Sequence, residues 1–383
     1  MVAINSFIQN IINMLIKKVA GSPFYTKLAM VLISLVLLGY LFVLGKQILS
    51  PLVFAFLFAF VLMPVASFFE KKVKMARGAA AALAVVIFVL SILTVLFVLG
   101  QQFSSLSSDW PMFQQQFELS LTSFQQWVGK TFHITAIQQM AYVSTATDKM
   151  LSASSTVLGA TVLSISSGLL FLVFLLIDTF FLLFYRSLLV RFLVAVFAEE
   201  NATMVYAVIQ QVQYIIRKYV VGLLLQMAII SLTAVVVFSV IGIKYALLLG
   251  LITGLLNVIP YIGIFTSLVL CVAISIGTAA TTTQLLLVAV AIIAIHLIDS
   301  NYLLPVIVGS KVKINALISL IGVIIGEMMW GISGMFLAIP VIAIVKVVFD
   351  RVASLQPWGM LLGEEKDVEV TIINDVDNNT VVV

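Results

Sequence analysis

The chain has 383 residues, 63% of them hydrophobic and 9% charged, with a net charge of +4. A water-soluble domain is about half apolar and about a quarter charged, so a single protein core cannot bury this surplus and a lipid bilayer must. No basic run with interleaved aromatics points to nucleic acid. The one cysteine, Cys271, cannot form an intrachain disulfide, and His133 and His296 lie too far apart in sequence to suggest a metal-ligand motif. Gly-rich nucleotide loops and nucleophile signatures are absent, so no metal, cofactor or catalytic residue is expected and the chain reads as a non-enzyme.

The elements follow in chain order. In residues 1–27 Ile4, Phe7, Ile8, Ile11, Ile12, Leu15 and Val19 recur at helical spacing with polar residues opposite. This pattern predicts an amphipathic helix lying in the headgroup layer rather than a secretory signal. Residues 28–100 hold three spans: Leu28–Leu49, then Leu52–Phe69 after a turn permitted by Pro51, then Ala79–Gly100. Residues 101–156 are rich in Gln, Ser and Thr but keep an apolar side (Phe103, Leu106, Trp110, Phe113, Phe117), which predicts a small helical domain outside the membrane. A fourth span covers 157–185, an amphipathic linker 186–218, and a fifth span Tyr219–Ile241.

Lysine and arginine set the orientation. Lys17, Lys18 and Lys27 precede the first span, Lys71, Lys72, Lys74 and Arg77 follow the second, and Arg186, Arg191, Arg217 and Lys218 lie between the fourth and fifth. All three groups fall on one side if the N-terminus is cytoplasmic, and the 101–156 domain then faces outward.

The segment 219–350 carries two interruptions. Ala246 to Val258 is an apolar run of about 13 residues, about 20 Å as a helix, and a second run goes from Ile264 to Ile276. Neither alone crosses a hydrocarbon core of about 30 Å. Between them stand Asn257, Pro260, Tyr261 and Gly263, which predict a re-entrant helical hairpin; Gly254 shapes its first arm. The stretch Gly277–Gln284 contains no lysine or arginine, as a hairpin returning to the outside requires. The next span, Leu285–Leu304, then runs inward and delivers Lys311 and Lys313 to the cytoplasm. A second break, Glu327 to Gly334, separates Ile314–Gly326 from Met335–Val345 and predicts a second hairpin entering from inside. Residues 351–383 read as a cytoplasmic acidic tail. The expected fold class is all-α: a polytopic membrane protein with about six spanning helices plus two re-entrant hairpins. Broken helices persist in membranes where they line a polar cavity, and paired ones point to a transport site.

Three motifs resemble the autoinducer-2 exporter family of bacterial membrane transporters: Gly250 through Gly263, Asp299 through Gly309, and Gly331 through Pro340. Weaker likenesses lie at Pro64, at Arg77-Gly78 and in Phe181 to Arg186. The resemblance implies export of a small solute, with autoinducer-2 as the namesake, in a bacterial inner membrane. It implies an elevator-like movement of the hairpins and a homo-oligomer, a pentamer. Some relatives are described as sodium/proton antiporters. Glu327 departs from the family pattern, which usually has a small or neutral residue near that point.

An acid inside the membrane is costly and is usually kept for function. Asp299, three residues after His296 and so on the same helix face, could bind a cation or exchange a proton. Its alternative role is a structural hydrogen bond near Asn301 and a hairpin end. Glu327 is a second candidate acid and Asp178 a weaker one, while Asn257 could offer its amide to a solute or cap the broken helix. Pro260, Gly263, Pro305, Gly309, Gly331, Gly334 and Pro340 shape backbone. The leading reading is a transporter of a small polar solute coupled to protons or sodium; the alternatives are a cation/proton antiporter and a membrane scaffold without transport. The bilayer, the solute and the coupling ion are the expected partners, with no nucleic acid. Asp178 and Asp299 as the carboxylate pair of an intramembrane enzyme are disfavoured, because neither sits in a Gly-x-Gly-Asp context.

Overall fold

The computed structural model describes residues 23–132, 167–197, 202–259, 262–308 and 314–364. The predicted interfacial helix at the N-terminus, the second half of the 101–156 segment and the tail beyond Glu364 lie outside them. The long helices before the first predicted hairpin are α1 (Phe24–Leu44), α2 (Lys46–Lys71), α3 (Arg77–Ser108), α4 (Trp110–Phe132), α5 (Ser167–Val196) and α6 (Ala202–Ile241). After them come α7 (Ala246–Leu256), α8 (Ile262–Gly277) and α9 (Thr282–Ile298). A π-helical segment, Asp299–Val308, continues α9, and α10 (Ala316–Trp330), α11 (Ile332–Arg351) and the short α12 (Gln356–Leu362) follow.

Among the described residues no strand occurs, and 7 helices are long and apolar enough to cross a bilayer. These are α1, α2, α3, α5, α6, α9 with its π-helical continuation, and α11. The chain is an all-α polytopic membrane protein. A helix satisfies its own backbone groups, which lipid cannot do. The seventh long helix is a difference from the sequence reading: α11, the second arm of the second predicted hairpin, continues to Arg351 and reaches 20 residues. Pro51 also behaves differently, because it lies inside α2 while the chain turns at Gly45. A proline near a helix start forfeits one backbone hydrogen bond and need not end the helix.

Met1–Ser50 and Pro51–Val383 form two compact units. In the first, α1 exposes nearly all its apolar side chains. In the second, Ala59 and Ala66 of α2 and Ala81 and Ala84 of α3 let these helices and α5 close around Leu62 and Leu183. Small residues are what close helix approach in lipid requires. At one end of this trio Arg186 of α5 hydrogen-bonds Glu70 of α2, and Arg77 lies 3.6 Å from the same carboxylate.

The main core joins α6, α7, α8 and α9. Phe238, Leu248, Leu249, Cys271, Val288 and Ile292 are buried there. The 40-residue α6 reverses at Gly242 (φ +83°) into α7, which runs back along it. Gly250 abuts Val235 and Gly254 abuts Ser231, in each case both side chain and backbone of α6, so α6 and α7 approach closely. α4 reaches the same body: Phe113 lies against Gly277 at the end of α8. Asp109, between α3 and α4, accepts from Lys244 Nζ and from the Tyr245 hydroxyl, each at 2.5 Å.

Both interruptions are present as helix–turn–helix units. α7 and α8 are 11 and 16 residues long, with Asn257 capping the end of α7. α10 and α11 are joined through Gly331 alone (φ 65°, ψ −140°), a backbone region essentially confined to glycine.

Candidate functional site

Three elements converge where α7 ends. Gln226 belongs to the buried stripe of α6 that continues at four-residue spacing through Ile230, Ala234 and Phe238. Asn257 is the C-cap of α7; its backbone N–H is used by Thr253 and its side chain is free to cross to another helix. Asp299 stands where α9 passes into its π-helical segment. Stretches of π-helix are rare and frequently occur at functional sites. Pro305 lies inside this one.

Asp299 is only 4% exposed. Gln226 Nε2 donates to its Oδ1 at 2.7 Å, and Asn257 Nδ2 donates to its Oδ2 at 3.0 Å. Each carboxylate oxygen therefore has a neutral amide donor. Among the described residues no lysine, arginine or histidine lies within ion-pair distance. Hydrogen bonds to a charged group contribute about 1.5–3 kcal/mol each, less than the cost of holding an unpaired charge in a membrane core. Gln226 Oε1 is buried and has no partner. A carboxylate and an orphaned amide oxygen in one buried place make an oxygen-rich site suited to a hard cation, a proton or a hydroxylated solute.

A second polar row holds α7 against α8. Ser267 Oγ donates to Thr253 Oγ1 at 3.0 Å, Thr253 Oγ1 donates to the Leu249 carbonyl at 2.8 Å, and Cys271 Sγ lies 3.5 Å from Thr253. Gly263 starts α8 hard against the Leu256 carbonyl, where a Cβ would come within 2.1 Å. The neck of this hairpin is closed by backbone contact.

The other sequence-predicted residues are distributed around this centre. His296 is half-buried one turn before Asp299 but hydrogen-bonds Ser300 instead (3.3 Å), and its Nδ1 is buried without a partner. Asn301 donates to its own helix at Leu297 O. Glu327 is exposed on the last turn of α10, and its carbonyl accepts from Gly331 N. Gly334 and Gly326 face one another across the second hairpin so closely that a Cβ on Gly334 would lie 1.9 Å from the Gly326 carbonyl oxygen. Pro340 is buried inside α11, and Asp178 is half-buried on α5. Pro260, Tyr261 and Gly309 lie outside the described residues. The structure thus brings together Asn257 and Asp299, and adds Gln226. That residue was not singled out from sequence, although a glutamine in the middle of the apolar run Tyr219–Ile241 is the signal that could have found it.

A stretch of 129 residues is 36% identical to "Putative transport protein YrrI" of Bacillus subtilis (strain 168), covering 34% of this chain and 36% of that protein. The chain thus spans about a third of that relative's length. A longer match, 323 residues at 23% identity, covers 84% of this chain and 90% of "AI-2 transport protein TqsA" of Escherichia coli (strain K12). "Putative permease PerM" of Escherichia coli (strain K12) is 25% identical over 133 residues, 35% of this chain and 38% of that protein. The AI-2E family transporter description fits residues 30–354, most of the sequence, and the chain belongs to that family.

Proposed function

We propose that the protein exports a small polar solute of the autoinducer-2 kind across a bacterial inner membrane, and that Asp299, Asn257 and Gln226 form its binding site. The observation that carries this reading is the buried Asp299 carboxylate, held by one amide from the α6 span and one from the broken end of α7. Asn257 ties Asp299 to the hairpin, so movement of α7 and α8 changes the surroundings of the acid. That coupling is what an elevator-like mechanism of two re-entrant hairpins needs. Support for the solute comes from the name of the Escherichia coli relative and from the family resemblance. Pro260, Tyr261, Gly263, His296, Asn301, Glu327 and Gly334 complete the proposed pathway. The cytoplasmic N- and C-termini rest on the lysine and arginine loops, and assembly as a homo-oligomer, a pentamer, rests on the family. The test is uptake of labelled autoinducer-2 into inside-out proteoliposomes: Asn257→Ala is expected to slow it strongly, and transport at the wild-type rate would remove Asn257 from the site.

A second reading, a cation/proton antiporter, has its own observation. Gln226 Oε1 is buried and unpaired beside an acid with no cationic partner, an arrangement a sodium ion or proton would complete. Proton movement driven by a sodium gradient in proteoliposomes would favour it. If neither solute nor ion moves, a scaffold without transport is the remaining account.

A further inference from the structure

Away from Asp299, the second unit contains two adjoining cavities. The larger, of about 650 Å³, is walled by apolar side chains of α2, α5, α6 and α11, among them Phe60, Leu193, Val208 and Val348. The smaller, of about 470 Å³, is bordered by Ser67, Gln210, Tyr214, Arg217 and Lys218. Phe60, Met63 and Gln213 line both, so the apolar chamber and the polar one are neighbours. Each volume lies within the range of about 300–1,000 Å³ usual for ligand sites.

The charges here are uneven. Arg186, on the rim of the apolar chamber, is neutralised by Glu70. Arg217 and Lys218 are exposed and have no carboxylate partner among the described residues; Lys218 Nζ sits 5.9 Å from the ring centre of Tyr214. A long apolar chamber that lies beside two uncompensated cations complements one kind of molecule: an acyl chain carrying an anionic head.

We infer that this double cavity is a binding site for an anionic phospholipid, with an acyl chain among Phe60, Leu193, Val208 and Val348 and the phosphate at Arg217 and Lys218. Phosphate is the anion that guanidinium and ammonium groups recognise by charge-assisted hydrogen bonds, and basic pockets between membrane helices hold anionic headgroups in this way. A neutral lipid would fill the chamber and leave the cations unpaired. A soluble solute would leave the apolar walls exposed. The site is separate from the Asp299 cluster and does not depend on the transport reading.

Native mass spectrometry of the full-length protein, supplied with equal amounts of phosphatidylglycerol and phosphatidylcholine, tests this. The wild type is expected to retain phosphatidylglycerol in preference. Arg217→Gln and Lys218→Gln should each reduce that preference about fivefold. Both side chains are exposed, so neither change touches the buried core. Val208→Trp, which fills the chamber, should abolish retention of both lipids. Equal retention of the two lipids by the wild type, or an unchanged preference in the double charge variant, would overturn the inference. So would glycerol phosphate displacing phosphatidylglycerol at comparable concentration, because the apolar chamber would then contribute nothing. Efficient disulfide linkage between chains carrying Val208→Cys would also overturn it, by giving the groove to a second copy of the chain.

Discussion

Gln226 and Asp299, 73 residues apart in sequence, meet in the buried centre of the protein, with Gln226 Nε2 donating to Asp299 Oδ1 at 2.7 Å. The contact points the amide nitrogen at the carboxyl group. It also leaves Gln226 Oε1 buried without a partner. Gln226→Leu should therefore do two things at once. It removes an unsatisfied oxygen and it deprives Asp299 of a donor, so the loss in thermal stability should be small, within about 1–3 kcal/mol, while transport falls steeply. Parallel losses of stability and transport, measured by thermal unfolding and proteoliposome flux, would mean that the contact is structural.

The second hairpin makes a steric prediction. A methyl on Gly334 would meet the Gly326 carbonyl at 1.9 Å, both partners being backbone. Gly334→Ala must push α10 and α11 apart and should cost about 1–3 kcal/mol in unfolding experiments. Gly331→Ala should be destabilising for a different reason, because its φ of 65° is strained for any residue with a side chain. Wild-type melting of Gly334→Ala would show that the hairpin arms do not approach so closely in the membrane.

A polar latch outside the spans predicts a pH dependence. The Lys244 ammonium and the Tyr245 hydroxyl hold Asp109 below the usual carboxylate range. Burial, with the Asp109 carboxylate beside it, pushes Tyr245 up to about 12. A lowered acid pKa contributes stability that is present above the unfolded value and disappears as pH falls through the folded one. The raised tyrosine pKa contributes stability that is complete below its unfolded value and is lost as pH rises from there through about 12. The latch should therefore be intact from mildly acidic to alkaline pH and open below the usual carboxylate range. Fluorescence of the neighbouring Trp110 should change in that acidic window and stay flat in Asp109→Asn, after correction for the other tryptophans. A change that persists in Asp109→Asn would place its origin elsewhere.

Topology has its own test. With Cys271 replaced by Ala, a cysteine at Thr281 should react with an impermeant maleimide added from outside the cell. Protection from outside together with labelling from the cytoplasm would contradict re-entry of the first hairpin. Thr281 suits the experiment because it is the exposed N-cap of α9, where its hydroxyl accepts from the backbone of Gln284.

Much of the architecture was legible in the sequence, because lipid imposes a simple condition on it. Long charge-free runs such as Ala79–Gly100 must be helical, and Gly331 marks the turn of the second hairpin by backbone geometry that only glycine tolerates. Asp299 stood out because an acid in an apolar span has an immediate energetic cost. Its partners did not stand out in the same way. The Gln226 contact depends on how α6 crosses α9, and the Tyr245–Asp109 contact joins residues 136 apart. Such pairings follow from helix packing and not from local periodicity. The π-helical turn at Asp299 was hidden for a related reason: its polar residues Asp299, Ser300 and Asn301 are consecutive and define no stripe from which to read a change of helical pitch.

The central claim is that the Asp299 cluster is the transport site, and flux in proteoliposomes tests it most directly. Wild-type protein and Asp299→Asn, matched for amount and thermal stability, would be assayed for labelled autoinducer-2 and for proton movement under a sodium gradient. The account predicts that the wild type moves the solute or the ion and that Asp299→Asn, which keeps the shape and loses the charge, moves neither. Full activity in Asp299→Asn would contradict it.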